Sequence, residues 1–371
     1  MPARGLTPAA ILFVLGGCAA PPPAPEAPPA EAVRPVLEVP VERLPEPPPP
    51  RPLVFAAVGD IMLGTDFPDD RLPDDAGHAQ LAAVRDVLAA ADVAFGNLEG
   101  VLMDGGEPAK QCANPAHCWL FRSPPRYAAT LAWAGFDVMS LANNHARDFG
   151  EEGRTSSMRA LAEHGIRHSG REGDVASWTV DGTRLALIAF SPFRGTHWMG
   201  DIDNARRLVA WLAAGHDIVV VSHHGGGEGA DALRVPFAEE TYLGENRGDV
   251  AAFSRAMVEA GADLVLGHGP HVPRGLEVWN DRLIAYSLGN FATYYGVNVS
   301  GDKGLAPILL AELDRDGRWL GGRIVSARQQ RPAGPLPDPT DEAYRLMQRL
   351  SLADFPTSAP RFSGAGRLEP R

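Results

Sequence analysis

The chain has 371 residues, a formal net charge of −12, 45% hydrophobic residues and 22% charged residues. The apolar fraction is enough to bury a full core, and the acidic excess argues against nucleic acid and anionic lipid surfaces as partners. Any grip on an anionic polymer would have to be local rather than spread over the surface.

At the N-terminus, Arg4 precedes an apolar run, Ala9-Ala10-Ile11-Leu12-Phe13-Val14-Leu15, followed by Gly16-Gly17-Cys18. The run is shorter than the roughly 20 residues a bilayer span needs, so residues 1–17 read as an export signal. Small residues before a cysteine resemble a lipobox, which implies cleavage before Cys18 and a lipid on its thiol. The alternative is an ordinary signal peptide cut nearby. By resemblance to lipoprotein sorting, Ala19 directs the product to the outer membrane in a cell that has one. Residues 18–52 then alternate Pro with Ala, Glu and Val, which excludes helix and central strand. At about 3.1 Å per residue in polyproline II, such a tether could hold a domain about 100 Å from its anchor. The expected location is therefore exported and lipid-anchored to the cell envelope, on the periplasmic side or at the outer membrane.

From residue 53 short apolar runs alternate with longer amphipathic stretches. Strands are expected at 53–58, 92–95, 137–141, 184–190, 217–222 and 263–266. Helices are expected at 78–91, 124–134, 151–164, 204–213 and 249–260. Four β-type runs follow at 276–279, 283–287, 308–313 and 323–325. Alternation of this kind implies an α/β fold with mainly parallel sheet, and the closely spaced later strands imply antiparallel additions. No further segment is apolar enough to cross a membrane. The domain is expected over 53–330, followed by a C-terminal helix at 341–350 and a loose tail within 331–371.

Of the three cysteines, Cys112 and Cys118 flank Ala113-Asn114-Pro115-Ala116-His117. In an oxidising compartment they would close a local disulfide. A zinc pair with His117 is the rival, but a second close Cys/His pair is missing. The chemistry collects elsewhere, directly after apolar strands: Asp60, Asn97 and Glu99, Asn143, Asn144 and His145, His223 and His224, and His268 and His271. Ligands bind open α/β sheets outside the carboxyl ends of strands. Imidazole together with carboxylate suits Zn, Mn or Fe rather than Ca.

The segments Gly59-Asp60-Ile61-Met62-Leu63-Gly64, Gly96-Asn97-Leu98-Glu99, Phe121-Arg122-Ser123-Pro124-Pro125, Leu141-Ala142-Asn143-Asn144-His145, His223-His224-Gly225, Gly267-His268-Gly269-Pro270-His271-Val272 and Tyr286-Ser287-Leu288-Gly289-Asn290-Phe291 resemble the CapA (poly-γ-glutamate capsule) family, in order, over roughly residues 53–313. The resemblance implies a calcineurin-like metallophosphatase-type layered sandwich of mixed β-sheets flanked by helices. It implies one or two divalent metal ions held by Asp60, Asn97 or Glu99, Asn144, His223, His268 and His271. It gives His145, His224 and Arg122 catalytic roles, and places Arg122, Asn143 and Asn290 along the substrate. Implied partners are an anionic envelope polymer such as poly-γ-glutamate, the membrane through the lipid, and other capsule-synthesis proteins. The departures are Asp60-Ile61-Met62, where the phosphatases carry D-x-H, and Asn97, where they carry a carboxylate bridging two ions about 3.5 Å apart. The implied activity is metal-dependent hydrolysis of an envelope polymer or its precursor. The alternative is a polymer-binding, anchoring subunit without turnover.

Overall fold

The computed structural model describes Ala20, Pro23, residues 51–111 and residues 118–371. The expected export signal, Cys18 and nearly all of the tether lie outside the described residues, as do Cys112 and His117. Cys118 is described and is disulfide-bonded. The chain divides into units 1–48 and 49–371, and every element below belongs to the second. Among the described residues no helix is long and apolar enough to cross a membrane.

The strands of the two main sheets are β1 (Leu53–Met62), β2 (Val93–Leu98), β3 (Val138–Ser140), β4 (Arg167–Ser169), β5 (Ala176–Val180), β6 (Thr183–Ser191), β7 (Ile218–His224), β8 (Leu264–His268), β9 (Leu276–Trp279), β10 (Arg282–Ala285), β11 (Asn290–Thr293), β12 (Ile308–Leu313), β13 (Trp319–Val325), β14 (Arg361–Ser363) and β15 (Arg367–Glu369). The first sheet runs β14-β15-β13-β12-β1-β2-β3-β4, with β11 beside the end of β1. Strands β1 to β4 are mutually parallel, and β12 is antiparallel to β1. The second sheet runs β9-β10-β8-β7-β6-β5, with a further two-residue strand, His197–Trp198, parallel beside the end of β6. Its centre, β6, β7, β8 and β10, is parallel, and β5 and β9 are antiparallel edges.

The central strands are apolar on both faces because both faces are covered. In β1, Phe55 and Ala57 enter one core while Ala56 and Val58 enter another. In β7, Ile218 and Val220 enter the same core as Phe55, whereas Val219 and Val221 face away from it. The shared core therefore lies between the two sheets. Helices α1 (Tyr127–Ala134) and α2 (Gly150–Glu163) cover the outer face of the first sheet; α3 (Ile202–Gly215) and α4 (Val250–Glu259) cover that of the second. Asp201 and Asp249 cap α3 and α4 through their side chains, as their residue type favours. The result is the expected α/β layered sandwich of mixed sheets.

Three expectations change. The helix expected over 78–91 is two short helices, His78–Ala82 and Arg85–Ala89. Val84 between them is buried with Leu81 and Leu88, so packing overrides the periodicity. Strands β4 and β5 are additions: β4 (Arg167-His168-Ser169) carries no apolar residue, whereas β5 (Ala176-Ser177-Trp178-Thr179-Val180) does alternate apolar with polar and turns Trp178 and Val180 to the inter-sheet core. The tail after α5 (Glu342–Asp354) is not loose: β14 and β15 form a hairpin that extends the first sheet through β13, with Leu368 buried and Phe362 packed on the inter-sheet core. Two apolar residues among glycines and charges are a weak strand signal, and the edge of β13 supplies the rest.

One close approach sets the end of β1. A Cβ on Gly59 would stand 2.0 Å from the Gly289 carbonyl oxygen, and the same oxygen accepts a hydrogen bond from the Asp60 amide at 2.9 Å. Gly59→Ala is expected to destabilise the fold by about 1–3 kcal/mol through overpacking, read from the urea midpoint. An unchanged midpoint would show that this contact tolerates a side chain.

Candidate metal centre

Parallel strands end on the same side, so β1, β2 and β3 of one sheet and β7 and β8 of the other deliver their last residues to one rim. There Asp60, Glu99 and His271 each offer a ligand atom, all within 4.8 Å of one another. His271 follows the tight turn Gly269-Pro270 with a left-handed φ of 57°, a backbone strain that functional loops tend to hold. Its Nδ1 donates to Asp60 Oδ2 at 2.9 Å and faces Asn290 Oδ1 at 3.0 Å, which leaves Nε2 turned to the cluster.

The focus is Glu99, buried to 1% exposure. Its Oε1 lies 3.6 Å from His271 Nε2, 3.9 Å from His224 Nε2 and 4.0 Å from His145 Nε2. These are too long for hydrogen bonds. Both Glu99 oxygens and His224 Nε2 lack a hydrogen-bond partner among the described residues although buried. Leaving such groups unpaired is costly. Donors sharing one tetrahedral ion at about 2.0–2.2 Å stand about 3.3–3.6 Å apart, near the spacing seen. The donor set of two carboxylates and imidazole thus fits a divalent ion of the Zn, Mn or Fe class.

Around this cluster the remaining expected residues divide. Asn97, expected as a ligand, has both amide ends engaged: Nδ2 donates to Asp60 Oδ1 at 2.9 Å and lies 3.3 Å from His224 Nδ1, and Oδ1 accepts from Asn143 at 3.1 Å. Asn143 also donates to the Leu98 carbonyl and accepts from the His145 amide, so it braces the loop rather than facing a substrate. Asn290 donates to the His271 and Lys303 carbonyls, holding the His271 turn. Asn144 keeps a buried Oδ1 without a partner among the described residues.

Three expected placements need correction. His223 and His224 are neighbours on a strand, so they point to opposite faces. His224 enters the cluster, while His223 meets Ser254 at 3.2 Å and the Phe253 ring under α4. Of the two, His224 stands in the cluster and His223 outside it. His268 donates from Nε2 to the Val58 carbonyl at 3.1 Å and packs edge-on to Phe95, which seats it in the floor between the sheets, with Nδ1 buried and without a partner among the described residues. Arg122 donates to Asp66 Oδ1 at 2.6 Å and to the Gly106 carbonyl at 2.9 Å, over the rings of Phe149 and Phe67. It ties loops together, and no contact joins it to the cluster among the described residues.

Sequence reading missed Asp148 and Glu228. Asp148 Oδ2 stands 2.7 Å from His145 Nδ1, and the residue is fully buried. Its signal was available as His-x-x-Asp after β3. Glu228 ends the Gly225-Gly226-Gly227 run, with Oε2 at 3.8 Å from His271 Nε2; nothing local distinguishes it from a turn residue.

Burial works against Asp60's charge, but the hydrogen bond and charge of His271, helped by His224 and His268, hold its carboxyl down at about 2. Burial also opposes the His271 cation, yet Glu99, Asp60 and Glu228 together push it up to about 10. Burial, with Asp60 and Glu228 nearby, pushes Glu99 up to about 8 against the pull of His271. Burial lowers His145 and His224 despite Asp148 and Asp60 respectively, so both imidazoles are neutral and available as donors of a lone pair.

Residues 54–295 match the family described as Bacterial capsule synthesis protein PGA_cap. Among curated proteins, the chain is 26% identical to the PGA biosynthesis protein CapA of Bacillus subtilis (strain 168), over 67% of this chain and 65% of that protein. It is 27% identical to the uncharacterized protein y4sH of Sinorhizobium fredii, over 64% of this chain and 65% of that protein. The chain thus spans just under two thirds of the length of these relatives. Among solved structures, a 5'-nucleotidase precursor from Thermus thermophilus aligns over 81% of this chain and 57% of that chain, at 16% identity and a TM-score of 0.40.

Two outcomes follow from the site's protonation. With both groups pushed up by their surroundings, a metal that binds through His271 and Glu99 displaces protons from them. Titration calorimetry in buffers of different ionisation enthalpy should therefore read net proton release on metal binding; release of none would remove these residues as ligands. Asp60, depressed in the fold, adds stability that is fully present above the ordinary Asp value of about 4 and is lost as pH falls through about 2. Metal-free Asp60→Asn should lie about 2 kcal/mol below wild type at pH 6, a gap closing toward pH 2 in urea unfolding curves.

Proposed function

The chain belongs to the bacterial capsule synthesis protein family, and on that footing we propose that it is a metal-dependent hydrolase of an anionic envelope polymer, poly-γ-glutamate or a relative, or of its precursor. The observation that carries the reading is the buried, unpaired Glu99 carboxylate with three imidazole nitrogens at 3.6–4.0 Å. Asp60, Glu99 and His271 would hold one ion, with His224 beside them. When bound, that ion would supply Lewis-acid polarisation of the scissile carbonyl or phosphoryl oxygen.

The chain's own residues supply the rest. Asp148 engages His145 Nδ1 and so turns Nε2 toward the cluster. Burial keeps that imidazole neutral, able to take a proton and return it to a leaving group. Asn143 fixes the His145 backbone, and Asn290 fixes the His271 turn. The bond cleaved would be a phosphoester, amide or γ-glutamyl-type bond. Export, a lipid on Cys18 and the tether 18–52 would place this chemistry at the envelope, alongside other capsule-synthesis proteins.

One observation favours the second reading, a polymer-binding subunit without turnover. Asn97 stands where a carboxylate would bridge two ions, and its amide is engaged with Asp60 and Asn143. A neutral amide there removes the ligand that two-ion hydrolysis needs, which weakens turnover and leaves polymer binding as the rival.

Plasma mass spectrometry on protein purified without chelator should find about one equivalent of Zn, Mn or Fe, lost in Glu99→Gln/His271→Ala. His145→Ala should keep the metal and lower kcat on poly-γ-glutamate, followed by chain length, by about 10²–10⁴-fold. Protein that holds no metal even after reloading would end the hydrolase reading and leave polymer binding.

A further inference from the structure

The Gly225-Gly226-Gly227 loop after β7 is backed by a short hairpin, Glu240–Tyr242 with Glu245–Gly248. The Gly226 amide donates to the Arg247 carbonyl at 2.9 Å, so the hairpin is fastened to the loop that carries His224 and Glu228. The Arg247 side chain is 3% exposed. Its Nη2 pairs with Glu228 Oε1 at 2.9 Å and Glu245 Oε2 at 3.1 Å. Its Nε and Nη1 are buried without a hydrogen-bond partner among the described residues.

A buried guanidinium with unpaired donors is an arrangement that folding disfavours. Here it is also held rigidly. The guanidinium carbon sits 4.8 Å from the Phe193 ring and 5.4 Å from the Tyr242 ring, so its plane and its donor directions are fixed. Two routes connect it to the cluster. Glu228, its ion-pair partner, turns its other oxygen to His271 Nε2 at 3.8 Å. Phe193, under the guanidinium, packs edge-on to His224 at 6.2 Å. Arg247 is thus separated from the metal ligands by a single side chain on either route.

We propose that Arg247 holds an oxyanion of the substrate, a carboxylate or phosphate, through its unpaired Nε and Nη1, and so positions the neighbouring bond at the Asp60–Glu99–His271 cluster. This rests on the reading of that cluster as the working site. A guanidinium offers five fixed N–H donors and keeps its charge at any working pH. Arg122, the expected holder, is engaged with Asp66 and Gly106. Glu228 and Glu245 already offset the charge of Arg247, so what it offers an oxyanion is the pair of unpaired N–H donors rather than a positive field.

The test is calorimetric binding of inorganic phosphate and of a γ-linked glutamate oligomer to the full chain, metal-loaded and metal-free, beside Arg247→Ala and Arg247→Lys. Circular dichroism and metal content establish that the variants are folded. Arg247→Lys keeps the charge without the planar donor set, so it remains informative if Arg247→Ala does not fold. The expected result is oxyanion binding by wild type, weakened at least about tenfold in the folded variants. Binding of phosphate alone or of the oligomer alone supports the proposal and identifies the oxyanion class. Arg247-dependent binding in a protein that holds no metal upholds the proposal while ending the hydrolase reading. Absence of binding by wild type, or equal binding by Arg247→Lys, overturns it.

Discussion

Two sheets can share one core only if the strands of each are apolar on the face turned inward, and here the central strands are apolar on both faces. Phe55, Phe95, Leu187, Val220 and Leu266 meet between the sheets, while the alternate residues of the same strands receive helices. This double burial depends on parallel strands joined by crossover helices. It forces strand ends from both sheets to the same rim, and every polar group that matters sits there. The core therefore does more than stabilise the fold: it sets the relative position of Asp60 and Glu99 on one sheet against His224 and His271 contributed by the other.

At that rim the dominant interaction is the hydrogen bond between Asp60 and His271, across 211 residues of sequence. It neutralises a buried carboxylate and fixes the imidazole's orientation in one contact. Once Nδ1 is occupied, Nε2 must face Glu99 and Glu228. His145 is oriented in the same manner by Asp148. Each of these imidazoles has one nitrogen tied to a carboxylate and the other presented to the centre, the arrangement by which outer partners orient metal-binding histidines. Glu99 has no such partner among the described residues, and its unpaired oxygens face the imidazole nitrogens of His271, His224 and His145.

Neutral and cationic side chains around the cluster divide the remaining work. Asn97, Asn143 and Asn290 connect strand ends through amide hydrogen bonds and leave the carboxylates as the ionic donors. The two arginines at the margins differ in what surrounds them. Arg122 is engaged by an aspartate and a backbone carbonyl, whereas Arg247 is buried between two rings with donors to spare. Residue type alone could not separate them.

By itself the sequence determined the layer architecture, because apolar runs of strand length alternating with amphipathic helices admit few arrangements. It also pointed Asp60, Glu99, His145 and His271 to one rim, because each lies at or just beyond the carboxyl end of a strand of that sheet system. Only the tertiary structure decided which neighbour of a pair faces the site. The alternation of side chains on β7 turns His224 inward and His223 outward, and that phase depends on which face packs against the other sheet. It decided, too, that His268 lies in the floor, that Arg122 braces loops, and that Glu228 and Arg247 stand beside the cluster. Those positions rest on contacts between segments far apart in the chain, which no local pattern encodes. The C-terminal hairpin was hidden for the same reason: its strands form only because β13 offers an edge to pair with.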